Sequence, residues 1–242
     1  MITALGACGS SGTHLDSGAA ATTTTSGTRA AAQNASCGGA DEAFPVETAT
    51  GPAPDQAEVF ADAPGMALRR FLDAGGDPGG GGFVWTGGDW LVLHRGDAVV
   101  VYGYRSARGF AYADADRAEN AWTVSRYGTC HPRIVGSSGW RVNGTSDPKV
   151  SYVVIRYFTH PSCYPPGHTV ELDRVEVAES GTEVGLTVFL KPDEPAPGAD
   201  VSSCGALGEA GVEATTKVTL RHPLGDRTLL DYGAVPHAPP SE

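Results

Sequence analysis

The sequence predicts an α+β and mainly β fold, in which one helix and an antiparallel meander are followed by a small antiparallel β-sandwich. Three observations carry that prediction. A single stretch has helical periodicity, many short runs rich in Val and aromatic residues read as strands, and Gly 33 plus Pro 17 make much of the 242-residue chain turn-prone. Apolar residues make up 40% of the chain, enough to bury a core over most of its length. With 17 Lys+Arg against 28 Asp+Glu, the formal charge is −11. Nucleic acid is therefore not an expected partner, and charge alone does not draw the chain to anionic lipid.

The helix comes first. Pro64 suits the first helical turn, Ala67, Leu68, Phe71 and Leu72 share one face, and Gly75-Gly76 stops the run. Arg69 and Arg70 then lie on or beside the solvent face. The following Gly79 to Gly82 run lacks both the lysine and the helix of a phosphate-binding loop. Strand signals follow at Phe83-Val84-Trp85 and Trp90 to Leu93, and the turn Arg95-Gly96-Asp97 leads to Val99 to Tyr102. Phe110 to Tyr112 and Trp122 to Val124 continue the meander across the charged stretch Asp114 to Asn120, and this unit ends near Cys130-His131-Pro132.

The second half is richer in strands. Val150 to Phe158, Val170 to Val177, Val184 to Leu190 and Lys217 to Arg221 are strand-like, with Val184, Leu186, Val188 and Leu190 alternating along one of them. A long Pro-, Gly- and acid-rich loop, Pro192 to Val212, contains Cys204. These signals divide the chain into residues 1–8, a 9–40 segment, an α+β unit over 41–135, a sandwich-like unit over 136–237, and a 238–242 tail.

Leu5-Gly6-Ala7-Cys8 resembles the lipobox of bacterial lipoproteins, in which the Cys thiol receives a diacylglyceryl group after signal cleavage. Met1 to Ala7 is too short for a whole signal, so the natural start is expected upstream. From Gly9 to Ala40, 25 of 32 residues are Gly, Ala, Ser or Thr. Such a composition buries too little surface to offset chain entropy and is expected to form a flexible tether with a reach on the order of 30 Å. Setting Cys8 aside leaves Cys37, Cys130, Cys163 and Cys204, an even four that allow three pairings. The preferred pairing joins Cys37 to Cys130 and Cys163 to Cys204, each within one half. The chain contains no C-x-x-C motif and no apolar run of transmembrane length.

Three further stretches carry a family resemblance: Trp122-Thr123-Val124 with Gly128 to Pro132, the Cys163 … Val184-x-Leu186-x-Val188 … Cys204 arrangement, and the ending Pro223-Leu224-Gly225-Asp226-Arg227-x-Leu229-Leu230-Asp231. Together they resemble a group of uncharacterised exported proteins and lipoproteins of actinobacteria. The resemblance covers most of residues 37 to 237. It implies an envelope location and two disulfides, and it implies no activity.

Candidate chemistry is sparse. His160 and His168 flank Cys163 in a Pro-rich turn, and two imidazoles with a thiolate form a metal set if they converge; half of a disulfide is the competing role for Cys163. Asp114, Asp116 and Glu119 lack the glycine and the spacing of a calcium loop, and Ser137-Ser138 does not match a nucleophile elbow. Tyr102 and Tyr104 share one strand face, which makes them a candidate platform for a peptide or glycan; the competing reading places them in a helix-covered core. Arg227 is a candidate anion binder, weighed against pairing with Asp226, Asp231 or a turn carbonyl. The expectation is a lipid-anchored envelope protein with a binding or scaffolding role. It would be held to the membrane through Cys8, would bind an unknown envelope protein or glycan, and would need no cofactor. The alternative is an exported metal-dependent enzyme or hydrolase built on the His160 to His168 loop.

Overall fold

The computed structural model describes residues 33–37, 43–76, 87–107, 109–144, 147–159, 161–163, 166–193 and 212–240. Strands β1 (Asn34–Ser36) and β2 (Phe44–Pro45) precede helices α1 (Val46–Thr50), α2 (Gln56–Val59) and α3 (Ala63–Asp73). Four antiparallel strands follow as a meander: β3 (Asp89–Arg95), β4 (Val99–Ser106), β5 (Gly109–Ala118) and β6 (Ala121–Cys130). Short strands β7 (Arg133–Ile134), β8 (Ser137–Ser138) and β9 (Trp140–Val142) lead to β10 (Tyr152–Thr159) and the hairpin β11 (Pro161–Cys163) with β12 (Pro166–Thr169). Strands β13 (Leu172–Glu179), β14 (Glu183–Leu190), β15 (Val212–Thr219) and β16 (Thr228–Asp231) complete the chain. The molecule is mainly β with few helices, the predicted class.

Helix α3 begins where the Asp62 side chain accepts from the Gly65 amide at 2.9 Å, satisfying an orphan donor of the first turn. Its buried Ala67 and Leu68 lie on the meander. Close approach is possible because β5 presents Ala111, Ala113 and Ala115 on that face, all fully buried. The bulk is supplied by Trp90, Tyr102 and Tyr104 on the neighbouring strands. Tyr102 and Tyr104 are 0% and 1% exposed, so they are core and not a binding platform. Period-2 alternation groups them correctly on one face, but the helix packed over that face removes it from solvent. The charged stretch from Asp114 is also strand: β5 runs on to Ala118, and the chain reverses at Glu119, whose φ is +54°. The strand expected at Phe83 to Trp85 lies outside the described residues.

The opposite face of the meander is covered by α1 and the small sheet β2-β1-β7. Ala35, Phe44 and Ala49 pack there against Leu91, Leu93, Val101 and Phe110, together with Phe189 and Val235 from the second half. A disulfide joins Cys37, just after β1, to Cys130 at the end of β6, which is the preferred pairing.

In the second half, the sheet β15-β10-β9 faces the sheet β13-β14-β16, with β8 pairing to β14. Val153, Ile155 and Tyr157 of β10 meet Val175, Val177, Leu186 and Val188 across the interior. Trp140 is fully buried and donates its indole N–H to the Leu186 carbonyl at 3.3 Å, bridging the two sheets. This sandwich departs from the expected antiparallel form, because β16 runs parallel to β14. Strand β14 is also buried on both faces from Val184 to Phe189. Its second face contributes Phe189 to the cluster shared with the first half and Gly185 to the Tyr232 ring, where a Cβ would sit 2.5 Å from ring carbons.

Candidate functional site

A cleft among the described residues lies between α1, α2 and β3. Three sets of polar contacts fix its walls. Strand β3 is an edge of the meander, and the Gln56 side-chain amide pairs with it like a strand: Trp90 N donates to Oε1 at 2.9 Å and Nε2 donates to the Trp90 carbonyl at 3.1 Å. Arg105 Nη1 donates to the Ala49 and Gly51 carbonyls at 2.7 and 2.8 Å, capping the C-terminal end of α1. Asp55 accepts from the Ala57 amide at 2.9 Å and starts α2. Between the two short helices, Pro52 and Pro54 restrict the connecting backbone.

The resulting cleft has a volume of about 350 Å³. It is lined by the aliphatic Val59, Leu91 and Val92, by Gly51, Pro52 and Pro54 of the α1–α2 connection, and by the polar Glu47, Thr48 and Glu58. Neither Glu47 nor Glu58 has an ion-pair partner among the described residues. A site of this kind holds a ligand by burying an apolar portion and pairing a cation. Sequence reasoning missed it, although a signal exists: residues 30 to 68 contain six acidic residues and no Lys or Arg.

The other candidates resolve into structural roles. Arg227 donates through Nη1 to Glu179 at 2.8 Å, through Nε to the Leu224 carbonyl at 3.1 Å, and through Nη2 to the His222 and Pro223 carbonyls at 2.9 and 2.8 Å. A guanidinium so engaged does not receive an anion. The turn carbonyls were expected, but Glu179 takes the place expected for Asp226 or Asp231. Asp231 instead accepts from Arg133 Nη1 at 2.8 Å. Asp114 is buried within β5 and paired with Arg126 at 2.7 Å, while Asp116 accepts from Ser125. Ser138 donates to the Phe158 carbonyl. Among the described residues no group of three or more His, Cys, Asp or Glu is placed to hold a metal ion. Cys8, His160, Cys204 and the side chains of Cys163 and His168 lie outside the described residues, as does the long loop at 194–211.

One histidine in the C-terminal segment carries a pH signature. His237 stacks on Tyr232 with ring centroids 3.9 Å apart, and Asp231 pairs with Ala238 in a short bridge. Burial lowers the His237 imidazole below its ordinary value, outweighing the opposite pull of Asp231 and Glu183. As pH falls, the unfolded chain takes up this proton before the folded one does. The contribution to stability is therefore complete above about pH 6.5 and declines as pH drops through the lower folded value. We expect His237→Phe, which keeps a ring on Tyr232, to remove that component. Urea midpoints measured at pH 7 and pH 5 check this, and parallel losses in both proteins would refute it.

A scan against protein families, a search of curated proteins and a search of solved structures each find no match to this chain.

Proposed function

We propose that the chain is an extracytoplasmic lipoprotein, anchored to the outer face of the cell membrane through Cys8, that binds an envelope component at the α1–α2–β3 cleft. The observation that carries this reading is the Cys37–Cys130 disulfide, because such bonds persist in oxidising compartments outside the cytoplasm. Its position adds support. Cys37 lies at the end of the Gly-, Ala-, Ser- and Thr-rich segment that follows the lipobox-like Leu5 to Cys8, so the first covalent staple of the fold stands where a tether would pull on it. The likeness to actinobacterial exported proteins points the same way. No described helix is long and apolar enough to cross a membrane. A stable attachment by one diacylated Cys follows from two buried acyl chains.

The test is expression with the upstream region in a host that carries the lipoprotein pathway. The protein should partition into detergent and incorporate labelled palmitate, and Cys8→Ser should abolish both. Unchanged labelling in Cys8→Ser would refute the anchor.

A further inference from the structure

The cleft between α1, α2 and β3 has two chemically distinct parts, and together they specify a ligand class. Its apolar lining is aliphatic, from Val59, Leu91 and Val92. Its edge carries two carboxylates, Glu47 from α1 and Glu58 from α2, set on separate elements and balanced by no basic side chain in residues 30 to 68. The Arg105 guanidinium is turned to the Ala49 and Gly51 carbonyls and so holds the wall rather than neutralising the edge. Lysine and arginine side chains match this division, since their methylene stems favour apolar surface while their charged heads stay at the wet rim. An anionic or purely apolar ligand would leave the two carboxylates opposed or unanswered.

Shape adds a second constraint. The site is an open cleft along the segment 51–55, where Pro52 and Pro54 restrict the backbone, beside the β3 edge, and it does not enclose a small molecule on all sides. One inserted basic side chain, presented by an extended backbone lying across Pro52 and Pro54, uses both the depth and the opening. We propose that the cleft is a docking site for a basic peptide segment of an envelope partner, with one Lys or Arg side chain inserted between Glu47 and Glu58. This rests on the binding role proposed above and names the chemistry of its ligand.

The probe is a fluorescein-labelled Gly-Lys-Gly-Lys-Gly peptide titrated with the full chain carrying Cys8→Ser, followed by anisotropy. Saturable binding is expected, and the Glu47→Gln, Glu58→Gln double variant should weaken it by about tenfold. Raising salt from about 50 to about 500 mM should also weaken it severalfold, because the edge charges are exposed. Glu119→Gln, at the remote β5–β6 turn, should leave it unchanged. Amide and methyl shifts in the NMR spectrum should move at Thr48, Val59, Leu91 and Val92. A Gly-Glu-Gly-Glu-Gly peptide that binds equally well, or affinity unaltered in the folded double variant, overturns the proposal. Cadaverine that binds as tightly as the peptide overturns the peptide source in favour of a free amine. None of these outcomes touches palmitate labelling, so the anchor and the ligand class stand or fall separately.

Discussion

Replacing Cys37 and Cys130 together by alanine is expected to lower the unfolding free energy by about 4 kcal/mol, within the usual range of about 2 to 5 for a native bridge in a small secreted domain. The bond links residues 93 apart, so removing it frees a long loop in the unfolded chain. The folded side gives the loss a location. Strands β1 and β2 contain three and two residues, too few to hold a sheet by their own ladder hydrogen bonds. They stay in place because Ala35 and Phe44 are buried against the meander and because Cys37 is covalently joined to the end of β6. Urea denaturation of the oxidised protein and the double variant measures the effect. Amide exchange should also rise first at residues 34–36, 44–45 and 133–134. A loss below about 1 kcal/mol, or unchanged exchange in that sheet, would show that packing alone retains it.

Arg227→Met is expected to cost about 3 to 5 kcal/mol, the usual consequence of leaving a buried charge without its partner. The Arg227 and Glu179 side chains are only 10% and 9% exposed and meet at 2.8 Å. The same guanidinium also gathers three carbonyls of the 222–224 turn, so its loss unpins the approach to β16. Two further measurements separate charge burial from simple packing. Arg227→Met combined with Glu179→Leu should recover most of the loss, because neither charge is then stranded. The second is pH. Burial pushes the Glu179 carboxyl up, but hydrogen bonds from the Arg221 amide and the Arg227 guanidinium, with the Arg227 charge, outweigh it and hold the carboxyl below its ordinary value. Its stabilising contribution is present above the unfolded carboxyl value of about 4.3 and is lost as pH falls through the lower folded one. Glu179→Gln should remove that acid-side loss. A single Arg227→Met variant within about 1 kcal/mol of wild type would refute the buried-pair account.

Much of this architecture was legible in the residues themselves because the deciding forces are local. The Ala67-Leu68-Phe71-Leu72 spacing marks α3, and the Pro, Gly and Asp punctuation separates the strands that follow. An even set of cysteines, divided between two halves, was enough to prefer the Cys37–Cys130 bond. The cleft was not legible. Its helices have five and four residues, too short to show a 3.6-residue period, and Leu91 and Val92 of its lining come from a strand more than 30 positions later.

Alternation along Val99 to Tyr104 established that the strand has two faces, but not which one a helix covers; only the packing of α3 turns Tyr102 and Tyr104 into core. The alternation at Val184 to Leu190 separates two faces, but only the packing shows that β14 stands between two layers and is buried on both. The parallel pairing of β16 with β14 and the choice of Glu179 for Arg227, 48 residues away, have no local signal at all. By itself, the sequence determined where α3 and the central stretches of several of the longer strands lie, which residues share a face and which cysteines were free to pair. Tertiary structure decided which faces meet, which charges lose their water and where an opening remains, because burial and charge pairing depend on distances between segments that no short window of sequence contains.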